Sequence, residues 1–498
     1  MSIPLIDRAT DFPDRVAISA LDGEFTYREL MEASHTVATR LLAGALDLAE
    51  KRVAFLVPPT SEYVTVQWGI WRAGGIAVPL CLSHPEPELE YVVDDCQAEI
   101  LVVSPDLVSR LSPIAARRGC RLWSTADLVD VWRSDLPAVD SRRSAMIVYT
   151  SGTTGGPKGV VTSHENIRAQ IESLVEAWGW RDDDRILLVL PLHHVHGIIN
   201  VLGCALWSGA TCEMMLRFDA AEVWQRIANR ELSLFMAVPT IYARLAAEWD
   251  KADHGTREHW SDTCRQLRLM VSGSAALPVQ LFEKWHEISG HSLLERYGMT
   301  EIGMALSNPL RGERIPGHVG MPLPGVKVRR VNSQGRTVGP EEPGEIEVQG
   351  EGVFAEYWGR PEETTRSFRD GWFRTGDVAV MERDSYRILG RQSVDIIKTG
   401  GFKVSALEIE EVLRQHPQIH ECAVIGISDQ EWGERVAVAA VVTEGANLSL
   451  ELLREWAKER LAPYKAPSRL LIVDELPQNS MGKVTKPELR TLFAPETA

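Results

Sequence analysis

The sequence predicts an α/β protein with a large N-terminal domain and a small C-terminal one. Between residues 27 and 300, stretches with helical spacing of apolar residues alternate with short apolar runs, which is typical of parallel or mixed sheets covered by helices. From 317 to 350, short β runs are broken by Gly and Pro, which predicts a small β subdomain. After Arg391 a compact mixture of helices and strands follows, as in a separate α+β unit.

We expect residues 1–390 to form the large domain, with the β subdomain inside 317–390, and residues 391–498 to form the C-terminal α+β domain. The first α/β alternation is a helix over 27–42 and a strand over 53–57 that ends at two prolines. Further strands of the large domain are predicted at 100–103, 145–149, 186–190, 234–238 and 267–271. In the C-terminal domain we predict helices near 406–414 and 449–459 and strands at 422–425, 436–442 and 470–473.

The composition limits the function classes. The chain has 498 residues, 44% hydrophobic residues and a net charge of −16, which argues against a general nucleic-acid partner or a polybasic membrane surface. The seven cysteines show no C-x-x-C spacing, so neither a disulfide framework nor a zinc site is indicated. The first residues do not resemble a signal peptide, and no apolar run is long enough to span a bilayer. We therefore expect a cytoplasmic protein without membrane insertion.

Residues 149–160, Y-T-S-G-T-T-G-G-P-K-G-V, have the composition of a phosphate-binding loop. Four glycines leave backbone N–H groups open to a ligand, while hydroxyls and Lys158 supply donors and positive charge. The Walker loop requires Lys directly after its second Gly and a hydroxyl residue after the Lys. Pro157 precedes Lys158 and Gly159 follows it, so the Walker pattern fails. A flexible linker is the alternative interpretation, but it does not explain a single Lys in so ordered a pattern.

Other predicted strands also end in unusual residues. The carboxyl ends of strands in open α/β sheets are where ligand sites are built. The candidate segments are 191–197 (P-L-H-H-V-H-G), 239–244, 273–276 (G-S-A-A) and 295–301 (E-R-Y-G-M-T-E).

The segment T-S-G-T-T-G-G-P-K-G-V at 150–160 resembles the signature of the adenylate-forming superfamily, which contains acyl-CoA synthetases, carrier-loading adenylation domains and luciferases. The resemblance extends from Phe25 to Lys483. It implies a large N-terminal domain and a small mobile C-terminal domain. It also implies ATP, Mg²⁺ and CoA as substrates and metal, a small carboxylic acid as the second substrate, and no prosthetic group.

The resemblance also implies the nucleotide-binding residues. Y-G-M-T-E at 297–301 resembles the motif in which Glu301 binds magnesium, Thr300 contacts the α-phosphate and Tyr297 stacks on adenine. Without the partner motifs, this segment could equally be a helix start with a capping Thr. G-W-F-R-T-G-D at 371–377 resembles the ribose motif. The residues expected at ATP are Thr150, Ser151, Gly152, Thr153, Thr154, Gly155, Lys158, Ser274, Ala275, Tyr297, Asp377 and Arg391, with Thr154 and Glu301 at the metal.

The C-terminal domain carries two further motifs. L-P-Q-N-S-M-G-K-V at 476–484 resembles the catalytic-lysine motif, so Lys483 would join Thr300 and Glu301 as catalytic residues. K-T-G-G-F-K-V at 398–404 resembles the face that meets CoA after the domain rotates. The residues expected at CoA are Lys398, Gly400, Gly401 and Lys403. The usual R-x-K-[DE] hinge is absent, so the pivot is placed only within 391–395.

Two arginines point to the acid. Arg296 precedes Tyr297 where many relatives have Gly, and Arg244 lies one helical turn beyond Thr240. Runs at 195–197, 295–301 and 404–408 resemble the malonyl-CoA synthetase group, although both arginines could instead be solvated or paired. The residues expected at the acyl group are His194, His196, Thr240, Arg244 and Arg296.

The resemblance therefore implies an acid–thiol ligase of the AMP-forming type, acting on malonate or methylmalonate and belonging to fatty acid metabolism. Its alternatives are a ligase for another short-chain or aryl acid, a stand-alone enzyme that loads a carrier protein, or a silent scaffold of the same fold. The intact Lys158, Glu301, Asp377 and Lys483 argue against a scaffold. The expected oligomeric state is a monomer or homodimer.

Overall fold

In a computed structural model, the protein is described over residues 3–128, 135–150, 156–443, 445–478 and 484–493. Five residues of the predicted phosphate loop, 151–155, and the predicted catalytic Lys483 lie outside the described residues.

The α-helices of the described residues are numbered in chain order. They are α1 (Pro4–Ala9), α2 (Tyr27–Leu42), α3 (Ser61–Arg72), α4 (Glu86–Asp95), α5 (Val108–Arg118), α6 (His164–Trp178), α7 (Cys204–Ser208), α8 (Ala220–Ala228), α9 (Pro239–Lys251), α10 (His254–Cys264), α11 (Val279–Ser289), α12 (Pro361–Arg366), α13 (Ala406–Leu413), α14 (Leu450–Lys458) and α15 (Lys486–Leu492). In addition, His196–Gly203 is a π-helix, a rare form that is often found at functional sites.

The strands follow the same numbering. They are β1 (Val16–Ala20), β2 (Gly23–Thr26), β3 (Arg52–Leu56), β4 (Ile76–Pro79), β5 (Ile100–Val103), β6 (Arg121–Ser124), β7 (Ser144–Thr150), β8 (Lys158–Ser163), β9 (Arg185–Leu188), β10 (Thr211–Met214), β11 (Leu234–Ala237), β12 (Leu269–Ser272), β13 (Leu294–Met299), β14 (Gly303–Ser307), β15 (Met321–Pro322), β16 (Lys327–Val331), β17 (Gly344–Gln349), β18 (Glu356–Tyr357), β19 (Phe368–Arg369), β20 (Trp372–Glu382), β21 (Ser385–Arg391), β22 (Ile396–Thr399), β23 (Phe402–Ser405), β24 (Ile419–Asp429), β25 (Gly433–Val442) and β26 (Arg469–Ile472).

Two large mixed sheets form the centre of the N-terminal part. One has the order β15-β14-β13-β12-β11-β9-β10-β1-β2, and the other has the order β18-β8-β7-β4-β3-β5-β6. Pairing is parallel from β1 through β13 in the first sheet and from β6 through β7 in the second, while the edges are antiparallel. One hydrophobic core contains apolar residues of both sheets and of the helices between them. The predicted α/β class is confirmed.

Local sequence signals explain where individual helices begin. The Thr26 side chain accepts from the backbone N–H of Glu29, and the Glu29 carboxylate accepts from the backbone N–H of Thr26, at 3.2 and 2.7 Å. This capping box fixes the start of α2, which was predicted at the same residue. Pro239 occupies the first turn of α9, where its missing N–H costs nothing. The helix therefore begins directly after β11 and continues past Arg244.

The β subdomain is a sheet of order β16-β17-β20-β19, with β21 paired to β20. Its core joins residues such as Ile346 and Phe373 to Val160 of β8 and Ile302 near β13. The subdomain therefore packs against the strands that carry two of the predicted nucleotide motifs. Its Gly- and Pro-broken β texture was predicted from the sequence.

The residues after Arg391 have hydrophobic cores of their own. The sheet β23-β22-β25-β24, with β26 on β25, carries Val424 and Val438 on one face and Ile425 and Ala437 on the other. No core cluster of the described residues contains residues from both sides of position 391. The domain boundary near 391 remains our prediction, and this separation of cores supports it.

Asp395 connects the beginning and the end of the C-terminal part. One carboxylate oxygen lies 2.7 Å from the ammonium of Lys486, which also lies 2.7 Å from Glu410. The other oxygen accepts from the backbone N–H of Arg391 at 3.0 Å. Lys486 is only 7% exposed, so this ion-paired group is buried.

A second contact crosses position 391. Glu411 of α13 accepts a hydrogen bond from the backbone N–H of Val279, the first residue of α11, at 3.1 Å. A carboxylate is favourable there because the first N–H groups of a helix have no partner within the helix.

Among the described residues, no helix has the length and apolarity needed to cross a bilayer.

Candidate active site

The predicted phosphate loop connects two antiparallel strands. Strands β7 and β8 pair so that Thr150 lies opposite Lys158 and Tyr149 opposite Gly159. The loop therefore returns into a strand, whereas a Walker loop continues into a helix. At its described end, the backbone carbonyl of Pro157 accepts a hydrogen bond from the hydroxyl of Tyr91 at 2.7 Å. Both ends of the loop are thus fixed by neighbouring structure.

Lys158 has an acidic partner in this structure. Its ammonium forms an ion pair with the carboxylate of Glu363, the third residue of α12. The same ammonium lies 5.3 Å from the centroid of the Tyr357 ring. Only 14% of the Lys158 side chain is exposed, so the positive charge is largely withdrawn from water.

Glu301 lies in the turn between β13 and β14 and is 5% exposed. One of its carboxylate oxygens accepts from the hydroxyl of Tyr357 at 2.8 Å. Burial raises the pKa of Glu301, and the Tyr357 hydrogen bond opposes that rise. Thr300 precedes it and is half-buried.

A magnesium ion fits this donor set. Glu301 has no ion-pair partner among the described residues, and those residues hold no group of three or more metal-type ligands. Mg²⁺ in nucleotide sites is typically held by one or two carboxylates together with phosphates and water. A single buried carboxylate beside a phosphate loop is therefore the expected protein contribution.

The two residues predicted at the ribose lie together. Arg391 Nε donates to one oxygen of Asp377 at 2.9 Å, and the hydroxyl of Tyr297 donates to the other at 2.7 Å. Asp377 is 8% exposed. Burial of Arg391 acts to lower its pKa, but the negative charge and hydrogen bond of Asp377, together with smaller contributions, outweigh this effect, and the pKa of Arg391 lies above its ordinary value. Three motifs that are distant in the sequence therefore meet at one carboxylate.

Arg296 is buried without a carboxylate partner among the described residues. It is 4% exposed, and its Nη2 donates a hydrogen bond to the Ser274 hydroxyl at 3.4 Å. Burial lowers the pKa of Arg296 to about 9, so it stays cationic at neutral pH. A methyl group on Gly273 would lie 2.5 Å from Cζ of Arg296. The glycine therefore makes room for the guanidinium.

The same serine hydroxyl contacts His196, with 3.2 Å between Oγ and Nδ1. Burial lowers the pKa of His196 well below its ordinary value, so the ring is neutral. The Ser274 hydroxyl accepts from Arg296, and its role toward His196 Nδ1 depends on which ring nitrogen carries the proton. Neither His196 Nε2 nor Arg296 Nε has a hydrogen-bond partner among the described residues. A buried N–H donor of Arg296 and a buried imidazole nitrogen of His196 are therefore left unsatisfied within the described residues.

The remaining residues predicted at the acyl group and adenine wall differ in exposure. Thr240 and Arg244 of α9 are exposed, as is Ala275, while His194 is half-buried. The ring of His194 lies 4.1 Å from that of His193. No hydrogen bond or ion pair joins Arg244 to Arg296 or to another described residue. The role of Thr240, Arg244 and His194 at the acid, and that of Ala275 at the nucleotide, remain predictions.

The segment predicted at CoA is a hairpin of β22 and β23, with Lys398 opposite Lys403. Gly400 and Gly401 form its turn with φ of 55° and 83°, which a two-residue hairpin turn requires. A methyl group on Gly400 would lie 2.8 Å from the Trp432 ring, whereas Gly401 has open space around it. Both lysines are exposed, so this hairpin faces solvent in the structure.

Two residues that the structure places here were not predicted from the sequence, and a third has contacts other than those expected. Tyr357 contacts Glu301 and Glu363 contacts Lys158, but neither lies in a segment that had a recognisable pattern. Ser274 was predicted at adenine, yet its hydroxyl joins Arg296 and His196. Its φ of 69°, unusual for a serine, could be found only in a structure.

Comparisons with known proteins show which proteins the whole chain is similar to. The chain is 49% identical to "Malonate--CoA ligase ACSF3, mitochondrial" of Mus musculus over 527 residues, covering 98% of this chain and 90% of that one. It is 39% identical to "Malonate--CoA ligase" of Arabidopsis thaliana, covering 97% and 87%. The crystal structure of ATP-bound MatB from Rhodopseudomonas palustris is similar, with 34% identity, a TM-score of 0.91 and 99% coverage of both chains.

Two family models also match. The AMP-binding enzyme model matches residues 5–358, and the model of the AMP-binding enzyme C-terminal domain matches residues 408–483. The first match alone covers more than half of the chain. The chain therefore belongs to the AMP-binding enzyme family.

Proposed function

We propose that the protein is an ATP-dependent malonate–CoA ligase that produces malonyl-CoA, AMP and pyrophosphate, with methylmalonate as a second acid. The observation that carries the choice of acid is the buried guanidinium of Arg296, which has no carboxylate partner among the described residues, together with the unsatisfied Nε2 of His196. The names of the relatives from mouse and Arabidopsis support the same substrate. Supporting evidence for ATP is the similarity to ATP-bound MatB.

The positive charge of Arg296 favours a dicarboxylate substrate. A buried cation without an anionic partner lowers the stability of the folded protein by several kcal/mol. We therefore infer that a ligand supplies the anion that pairs with Arg296. Malonate has a second carboxylate after the first has reacted, whereas acetate or a long-chain acid would leave the guanidinium unpaired. Arg is suited to this role because its planar fork holds a carboxylate with two hydrogen bonds. In the tautomer with its proton on Nε2, His196 would add a third donor.

In the first half-reaction, a carboxylate oxygen of the acid attacks the α-phosphorus of ATP and pyrophosphate leaves. We assign Lys158 and residues 150–155 to the β- and γ-phosphates, Thr300 to the α-phosphate, and Asp377 with Arg391 to the ribose. Glu301, with Thr154, would hold Mg²⁺, which supplies positive charge to the phosphates when bound. Lys483 would stabilise the charge that develops between acid and α-phosphate.

In the second half-reaction, the thiol sulfur of CoA attacks the acyl carbon and AMP leaves with the electron pair of the broken C–O bond. We assign the β22–β23 hairpin, with Lys398, Gly400, Gly401 and Lys403, to CoA. Because this hairpin faces solvent in the structure, the C-terminal domain would have to rotate before the hairpin reaches the acyl-adenylate. The observed arrangement would then belong to the first half-reaction.

The test is an acid panel with ATP, Mg²⁺ and CoA in which AMP formation is measured. Malonate should be used far better than acetate, butanoate, benzoate or long-chain acids. Arg296→Met should lower kcat/KM for malonate about 100-fold, because two lost charge-assisted contacts correspond to about 3 kcal/mol. It should leave butanoate unchanged or improve it. Arg311→Met, at an exposed position, is the matched control.

Arg244→Ala should change malonate use in the same direction as Arg296→Met. A wild-type preference for an acid with an uncharged tail would contradict the choice of malonate. Equal loss for every acid in the Arg296 variant would contradict the role of Arg296. In either case, the membership of the AMP-binding enzyme family would stand.

Two further proposals concern the cellular location of the protein and its oligomeric state. We infer a cytoplasmic monomer or homodimer from the sequence, and a place in fatty acid metabolism from the product. The vertebrate relatives are named mitochondrial, which differs from the location inferred from this sequence. Fractionation of cells that express the full chain would decide it.

A further inference from the structure

The phosphate-loop lysine forms an ion pair with a carboxylate from elsewhere in the chain. Lys158 and Glu363 are 205 positions apart, and their side chains are 14% and 33% exposed. Lys158 is also the residue assigned above to the β- and γ-phosphates of ATP. A phosphate ligand and Glu363 therefore require the same ammonium.

The position of Glu363 is fixed by the strand that carries Lys158. Strand β18 pairs with β8, so that Tyr357 lies opposite Val160. The backbone N–H of Trp358 donates to the carbonyl of Gly159, the neighbour of Lys158, at 2.8 Å. The Thr364 hydroxyl, next to Glu363, accepts from the backbone N–H of Tyr357 at 3.0 Å. The ion pair is thus built into one continuous unit and is not a chance contact of two loops.

We propose that Glu363 is a resident counter-anion of Lys158 which the triphosphate of ATP displaces, and that it thereby limits the affinity for ATP. The inference rests on the proposed use of ATP, but not on the identity of the acid. A nucleotide that approaches Lys158 meets a carboxylate of the same sign of charge, and its phosphates must either break the ion pair or accept the repulsion. Both alternatives weaken binding relative to a site without Glu363.

The opposite role would also be physically reasonable. If Glu363 held the lysine in the geometry that phosphates require, its removal would weaken nucleotide binding. The partial burial of the pair and its anchoring to β8 are compatible with both roles. The sign of the change in affinity on removing the carboxylate therefore decides between them.

The experiment is calorimetric titration of the full-length protein with α,β-methylene-ATP and Mg²⁺. Glu363→Gln, which keeps the shape and removes the charge, should tighten binding about two- to fivefold, the range expected for a partly exposed ion pair. Glu363→Ala should act in the same direction. Glu362→Gln is the control, because the neighbouring Glu362 is 88% exposed and pairs with Arg366 instead. Unchanged or weakened binding in both Glu363 variants would overturn the proposal.

A double-mutant cycle then tests whether the effect passes through Lys158. In the background of Lys158→Met, the change Glu363→Gln should no longer alter nucleotide affinity beyond the error of the measurement. A gain that persists without Lys158 would overturn the proposed displacement. Thermal unfolding without nucleotide should give similar midpoints for Glu363→Gln and Glu362→Gln, which keeps the comparison free of folding effects.

The two proposals fail in different ways. If the wild-type protein does not bind the nucleotide analogue, the ATP-dependent function itself is contradicted. If it binds the analogue but prefers another acid, the choice of malonate fails and the role of Glu363 is unaffected. If nucleotide affinity does not rise in the Glu363 variants, only the role of Glu363 is wrong.

Discussion

Arg391 donates a hydrogen bond from Nε to Asp377 at 2.9 Å, and this pair joins the last strand of the β subdomain to the strand before it. Tyr297 occupies the other oxygen of the same carboxylate. A ribose that binds Asp377 would therefore share a carboxylate already held by two donors. The two donors fix the orientation of the Asp377 carboxylate before the nucleotide arrives, and this lowers the entropy cost of nucleotide binding.

Asp377→Asn should raise KM for ATP about tenfold or more, because the amide loses the ion pair with Arg391 and at least one charge-assisted acceptor. The measurement is initial rate of pyrophosphate release against ATP concentration at saturating malonate. Asp384→Asn, at an exposed turn position near the end of the same strand, should leave KM unchanged. Equal effects of the two changes would argue against a specific role of Asp377.

Lys483→Ala should abolish formation of the acyl-adenylate while leaving thioester formation from supplied malonyl-adenylate largely intact. Loss of one charge-assisted contact in the transition state corresponds to about 10²-fold or more. Pyrophosphate release measures the first step, and appearance of malonyl-CoA from the supplied adenylate measures the second. Similar losses in both steps would contradict separate conformations for the two half-reactions.

The two hairpin glycines should behave differently on substitution. Gly401→Leu should block the CoA step and spare pyrophosphate release, because open space surrounds Gly401 and the new side chain would extend into the proposed CoA path, while the φ of 83° adds backbone strain confined to the turn. Gly400→Leu should also disturb the packing of Trp432, which lies 2.8 Å from an added methyl group, and should lower the unfolding temperature. Unchanged thioester yield in Gly401→Leu would remove Gly401 from the CoA site.

Glu295 should make stability depend on pH. Burial raises its pKa from 4.5 to about 8, although a hydrogen bond from the backbone of Gly317 opposes the rise. An acid with a raised pKa stays protonated in the folded state while the unfolded chain ionises. Its contribution to stability is therefore complete below about pH 4.5 and is lost progressively up to about pH 8.

Glu295→Gln does not titrate, so its stability relative to wild type should grow by about 1.4 kcal/mol per pH unit inside this window. Unfolding midpoints of both proteins at pH 5.5, 6.5 and 7.5 provide the measurement. Glu287→Gln, at an exposed position of α11, should follow the wild type at every pH. A constant difference between Glu295→Gln and wild type would show that Glu295 does not titrate in this range.

The fold could be predicted largely from the sequence because its elements have strong local signals. The period of apolar residues placed α2, and Pro-terminated apolar runs placed the central strands. Short edge strands such as β18 have no such signal, since two residues show no period. Their position is set by pairing with a distant strand.

The candidate site likewise contains some residues that could be predicted from the sequence and others that could not. Tyr297, Asp377 and Arg391 were predicted from three separate motifs, and the structure brings them into hydrogen-bond contact. Tyr357 and Glu363 could not be predicted, because a tyrosine on a two-residue strand and a glutamate at a helix start are ordinary in sequence. Their importance arises only from the tertiary contacts with Glu301 and Lys158.

Asp395 has a consequence for any attempt to divide the chain. A fragment that begins at residue 396 would contain the complete C-terminal sheet, but among the described residues it would leave the buried ammonium of Lys486 with Glu410 as its one remaining ion-pair partner. Removal of one member of a buried ionic group typically costs about 3–5 kcal/mol, which is a large share of the stability of a domain of this size. Fragments for separate expression should therefore begin at or before Arg391, so that Asp395 and its backbone partner are both retained.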